Sequence, residues 1–279
     1  MSVTDLLSVH DSLSRRTDRD RRPSTVLLIP VKHIVQLRLL LVLSLMLPLA
    51  VSAQHLTYPE WQARSQVDAR LKPHFQGHVF TPEQRISNDV LVTRILESEP
   101  DRRVASERLV QLGLQHLQEG DLVSAMYRFN HAWLVDSSNA APFHGYGLFF
   151  LALDRNTEAG QQFADGLAMD STHVPLLREM ASTLIAGQYV EREKHPERAD
   201  TMVRTARALL DRAHRHAPED AAVVMKRTVC GLLLKDCEDA RNWYARYLAT
   251  EDDTDARPLQ AALDRECPLA STTGKGNKR

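Results

Sequence analysis

Between Ser106 and Thr250 the chain reads as amphipathic runs separated by short polar breaks, and the small and aromatic positions inside those runs recur in register. "SAMYRFNHAWLVDSSN" (Ser124–Asn139) superposes on "EAGQQFADGLAMDSTH" (Glu158–His173) at a spacing of 34 residues. Ala125 falls on Ala159, Phe129 on Phe163, Ala132 on Gly166, Asp136 on Asp170 and Ser137 on Ser171. Apolar positions three and four apart predict helices. A fixed period of roughly 20–50 residues predicts stacked supersecondary units that bury their faces against one another.

Each of the first two units carries a glycine in its first helix, Gly113 or Gly147, and an alanine in its second, Ala125 or Ala159. Small residues there let two helices approach closely, with Phe129 and Phe163 filling the space that remains. "EGD" (Glu119–Asp121) breaks the first pair, with glycine ending one helix and aspartate capping the next. Together with Leu109, Leu112, Phe143, Tyr146 and Phe150, these positions resemble the tetratricopeptide (TPR) repeat, a helix-turn-helix unit. The resemblance implies an all-α, TPR-type helical solenoid of about four repeats with flanking helices.

The third unit holds Leu177, Met180, Ala181 and Leu184 in its first helix and Ala206, Leu210, Ala213 and Pro218 in and after its second, with 13 extra residues around "QYVEREKHPERAD". Two readings of that insertion stand: two lengthened helices projecting past the stack, or a plain loop. The fourth keeps Val224, Ala240 and Tyr244 in step, while Arg227, Thr228 and Tyr247 depart from the pattern. Helices are also predicted over Trp61–Leu71 and over Thr81–Glu97, the latter with Thr81 as cap and Pro82 in its first turn. The expected organisation is an extension with signal peptide at 1–53, linker and helices at 54–105, repeats at 106–250, and a capping helix with tail at 251–279.

Composition narrows the function. Lys and Arg number 35 against 36 Asp and Glu, so the chain lacks the basic field of a nucleic-acid binder. Three cysteines are too few for a disulfide scaffold. Lys32, His33 and Arg38 precede an apolar run from Leu39 to Val51, and "VSA" follows, with Val51 and Ala53 placed for cleavage. That order predicts export to the periplasm by a cleaved signal peptide; an uncleaved inner-membrane anchor is the alternative. The charged preface before it suggests translation starting at Val31.

No catalytic arrangement or cofactor site is predicted, and no metal site. His74 and His78 are four apart, but Pro73 and Gly77 argue against a helix that would aim both at one ion. Cys230 and Cys237 flank the break in the fourth unit and could bridge it in an oxidising compartment, with Cys267 as a competing partner.

The family resemblance further implies an inner groove lined by first-helix residues. Here these include Val110, Leu114 and Leu117, then His144, Leu148 and Leu151, then Arg178 and Ile185, and finally Met225, Val229 and Leu232. A largely apolar lining suits an amphipathic helix or apolar peptide rather than a free carboxylate. The expected function is a non-catalytic adaptor for another protein or peptide, with no nucleic acid or small-molecule substrate; exported TPR proteins often serve envelope assemblies, type IV pilus biogenesis among them. Two alternatives accompany it: a self-assembling homo-oligomeric scaffold, and a groove covered by the chain's own Trp61–Leu71 segment or C-terminal helix.

Overall fold

The computed structural model describes residues 56–250 and 256–268. The N-terminal extension, the apolar run with its cleavage point after Ala53, and the tail from Ser271 lie outside the described residues. Among the described residues every regular element is helical. Helix α1 (Tyr58–Val67) leads through two 3₁₀ turns, Ala69–Leu71 and Pro73–Phe75, to α2 (Pro82–Ser98). Four pairs follow: α3 (Arg102–Gln118) with α4 (Leu122–Val135), α5 (Ala141–Ala152) with α6 (Asn156–Met169), α7 (Val174–Glu191) with α8 (Pro196–His216), and α9 (Ala221–Leu233) with α10 (Cys237–Leu248). Helix α11 (Arg257–Glu266) closes the described chain. Each helix packs chiefly on its pair partner, then on the next pair, and the first helices α3, α5, α7 and α9 touch in succession along one face. That connectivity is a helical-hairpin solenoid.

The starts of the helices follow their caps. Asp101 accepts from the Arg103 and Val104 amides, so α3 begins before Ser106. Asp121, Asp220 and Asp236 accept from the amides of Ser124, Val223 and Asp239. These bonds satisfy amides with no partner inside their own helix. Two residues past α3, Gly120 takes a left-handed φ of 80°. Asp154 and Lys235 take the same slot after α5 and α9 with φ of 58°, at a steric cost of about 1–2 kcal/mol each relative to glycine.

The close approaches sit at the small residues. A Cβ on Gly113 would lie 2.3 Å from the Phe129 ring, and one on Gly147 would lie 2.1 Å from the Phe163 ring. Ala125, Ala159, Phe129 and Phe163 are fully buried. The fourth pair reaches the same result differently. Thr228 is buried with its hydroxyl donating to the Val224 carbonyl, and the tight contact moves to Gly231, whose Cβ would meet the Ala240 backbone at 2.8 Å. Arg227 is also buried, bound by Asp211 and Asp239 at 2.5 Å each, with its guanidinium over the Trp243 ring.

The insertion lengthens both helices of the third pair, α7 to 18 residues and α8 to 21. Arg192 fastens their tip, donating to Asp200 and to Gln188 Oε1. Near the N-terminus α1 starts earlier than Trp61, because the Thr57 amide donates to the Glu60 carboxylate with Pro59 in the first turn. It stops at Val67, where Asp68 accepts from the Arg70 amide and starts a 3₁₀ turn instead. Thr81 caps α2, accepting from the Gln84 amide.

The 56–80 segment lies on α4 and α5. Trp61 stands edge-on to Phe149 and Phe150 and donates its indole N–H to the Leu71 carbonyl. Asn130, fully buried, donates to the Arg70 and Lys72 carbonyls and accepts from the Tyr146 hydroxyl. Buried amides and hydroxyls that find partners specify one seating for this segment.

Candidate functional site

The groove residues inferred from the family resemblance divide into three environments. Val110 and His144 are buried, as is Leu232, which packs into a cluster with Tyr244 and Leu263. Leu114, Leu117, Leu148 and Leu151 are partly buried against the N-terminal core, and Ile185 against the middle one. Arg178 is held by Glu179 and Asp220 at 3.0 and 2.9 Å. Burial drives the His144 imidazole pKa down to about 3, with His173 and Arg178 adding repulsion.

Met225, Val229 and Leu232 are brought together. They form the floor of a cleft of about 620 Å³ with Leu233 beside them. Its walls are the lengthened end of α7, with Gln188, Tyr189 and Arg192, and helix α11, with Pro258, Leu259 and Ala262. The C-terminal helix therefore walls the groove here, while the N-terminal segment seats on α4 and α5 instead. The α11 wall could not be located from spacing alone, because it depends on the chain returning across α9 and α10.

Polar groups stand at the rim, and one is buried in the α7 wall. Glu266 accepts from Lys235 at 2.5 Å and Arg265 at 3.1 Å, and these bonds hold its carboxyl below the usual carboxylate range. Gln188 is fully buried; its Oε1 accepts two bonds from Arg192, which fixes the amide orientation. Its Nε2 has no acceptor among the described residues. A buried donor without a partner is costly, of order 1–3 kcal/mol.

The Cys230–Cys237 bridge is corrected by the structure. Cys237 is bonded to Cys267, with 5.3 Å between their Cα atoms, and Cys230 is free and buried. Cys230 faces the middle core with Leu210 and Val223, whereas Cys237 opens α10 against α11, so the two sulfurs point into different layers. Burial pushes the Cys230 thiol up to about 12.

The histidine pair is also separated. His74 lies in a 3₁₀ turn against Phe143, Tyr146 and Trp133, and His78 meets Gln84 Oε1 at 3.0 Å. Among the described residues no group of three His, Cys, Asp or Glu side chains could hold a metal ion. None of the described helices is long and apolar enough to cross a membrane.

No family model and no curated protein matches the chain. A thermophilic TPR protein of Thermus thermophilus is 19% identical, with a TM-score of 0.47 over 58% of this chain and 80% of that one. PilF of Pseudomonas aeruginosa is also 19% identical, with a TM-score of 0.33 over 59% of this chain and 85% of that one. The fold class rests on the helix pairs themselves: the glycine–phenylalanine contacts, the repeat period and the row of first helices define a solenoid of TPR-type hairpins.

Proposed function

We propose that the chain is a non-catalytic adaptor of the bacterial cell envelope, holding a segment of another protein in the cleft between α7, α9 and α11. The observation that carries this reading is the cleft itself. Met225, Val229, Leu233, Leu259 and Ala262 line it and are only partly buried, and Tyr189 beside them is 63% exposed. Apolar surface gathered in a concavity with a polar rim is the usual mark of an interaction site. The envelope location is supported by the order of charged, apolar and small residues before Gln54, and by the Cys237–Cys267 bond, a feature of oxidising compartments.

The test is capture from a bacterial envelope extract by the tagged protein and by its Val229→Glu variant. Val229 is the better probe than Leu232, because Leu232 belongs to the core of the last pair. One dominant protein retained by the parent and lost by the variant, with the helical circular dichroism unchanged, is the expected result. Equal capture by both proteins refutes binding at this cleft.

A further inference from the structure

We infer that the cleft takes a short amphipathic helix whose apolar stripe is flanked by carboxylates; this rests on the adaptor reading above. Met225, Val229 and Leu233 recur every four residues along α9, and Leu259 and Ala262 are three apart on α11. They form two helical stripes converging on one trough. A third helix can lay its ridge of side chains between two such stripes. An extended peptide is disfavoured here, because the walls are helices whose backbone groups are already paired and offer no strand edge to its amides.

The rim selects the charge. Of the charged residues lining the cleft, Arg192, Lys235 and Arg265 are cations and Glu266 is the single carboxylate. Lys235 and Arg265 share that one carboxylate, and Arg192 is met by Asp200 just outside. Incoming carboxylates therefore meet an excess of positive charge, whereas incoming lysines meet repulsion.

The experiment uses the full chain and three fluorescent peptides of about three helical turns. One carries a leucine stripe flanked by glutamates, the second replaces the glutamates with lysines, and the third keeps the glutamates but replaces the leucines with serines. Fluorescence anisotropy should show the glutamate–leucine peptide binding about tenfold tighter than the lysine–leucine peptide, the scale of two or three exposed ion pairs. The serine peptide should not bind. Added salt, or the double variant Lys235→Gln with Arg265→Gln, should collapse the preference, and Val229→Glu should remove binding of both leucine peptides. Equal affinity for the two leucine peptides overturns the charge selection and leaves the adaptor reading standing. If neither leucine peptide binds while envelope capture still depends on Val229, the helical occupant is wrong and the adaptor reading survives; if both fail, the adaptor reading falls as well.

Discussion

Reduction of the Cys237–Cys267 bond, or Cys267→Ser, removes the covalent tie on α11, and the size of the effect can be worked out. The cysteines are 30 residues apart in sequence. The chain-entropy relation for a loop of that length gives about 12 cal/mol/K, or roughly 3.6 kcal/mol at 25 °C. Against this stands the rest of the grip on α11. Leu263 is its one fully buried helical side chain, worth about 1.5–3 kcal/mol, and Leu259 and Ala262 add less. Arg241 donates to the Cys267 carbonyl, and the Lys235–Glu266 pair is exposed.

Fixing each of the ten helical residues costs about 1 kcal/mol or more in backbone entropy, partly offset by the helix's own hydrogen bonds. The non-covalent hold therefore does not exceed the cost of ordering the helix, and the disulfide decides whether it stays docked. The expected result of reduction is local: α11 amides lose hydrogen-exchange protection, Tyr244 and Tyr247 gain solvent, and the α3–α8 pairs keep theirs. Hydrogen exchange read by mass spectrometry, with and without reductant, measures this. Thiol labelling of the native, unreduced protein should find no reactive sulfur, because Cys230 is buried. Unchanged α11 protection in Cys267→Ser, or a peptide map joining Cys230 to Cys237, would refute the reasoning.

Other outcomes are equally checkable. Gly147→Ala pushes a methyl into the Phe163 ring and should cost about 1–3 kcal/mol in urea unfolding, while Gly160→Ala, with open space around it, should stabilise by roughly 0.5–1 kcal/mol. Arg227→Met strips the Asp211 and Asp239 carboxylates of a buried partner; because Asp211 is partly exposed and Asp239 keeps Arg207, the cost should be about 1–3 kcal/mol, and adding Asp239→Asn should recover part of it. Burial lowers His131 to about 4 and His144 to about 3, from 6.5. Both stay neutral in the fold while the unfolded chain takes up protons, so their stabilisation is full above pH 6.5. It is lost as the pH falls toward those values, at about 1.4 kcal/mol per pH unit for each histidine. Urea midpoints measured across that window should fall with acidity, and less steeply in His144→Gln.

The hairpins were legible because their contacts are local: a glycine, an alanine and a phenylalanine within one pair specify how its two helices meet. The cap at Thr81 was legible for the same reason, and "TYPE" at Thr57–Glu60 carries the equivalent signal for α1. Repeat four looked irregular in sequence because its compensation is distant. Arg227 is satisfied by Asp211 on α8 and Asp239 on α10, and Gly231 makes the close approach that Thr228 cannot. The groove was legible as a row of positions but not as a surface. Val110 and His144 are buried in the stack, and only the return of α11 turns Met225 and Val229 into a cleft. The disulfide depended on that same return.

The two ends of the stack are fastened unequally. At the C-terminal end α11 covers the last pair and is bolted to α10 through sulfur. At the other end α2 buries none of its residues fully, and Ile86, Val90, Val104 and Leu112 on α2 and α3 are exposed. A solenoid of this kind has a direction under load. Pulled from both termini, it should yield first where the 56–80 segment leaves α4 and α5, which then frees α2 and α3, with the cleft-bearing end yielding last, so tension that frays the near end leaves a bound partner in place.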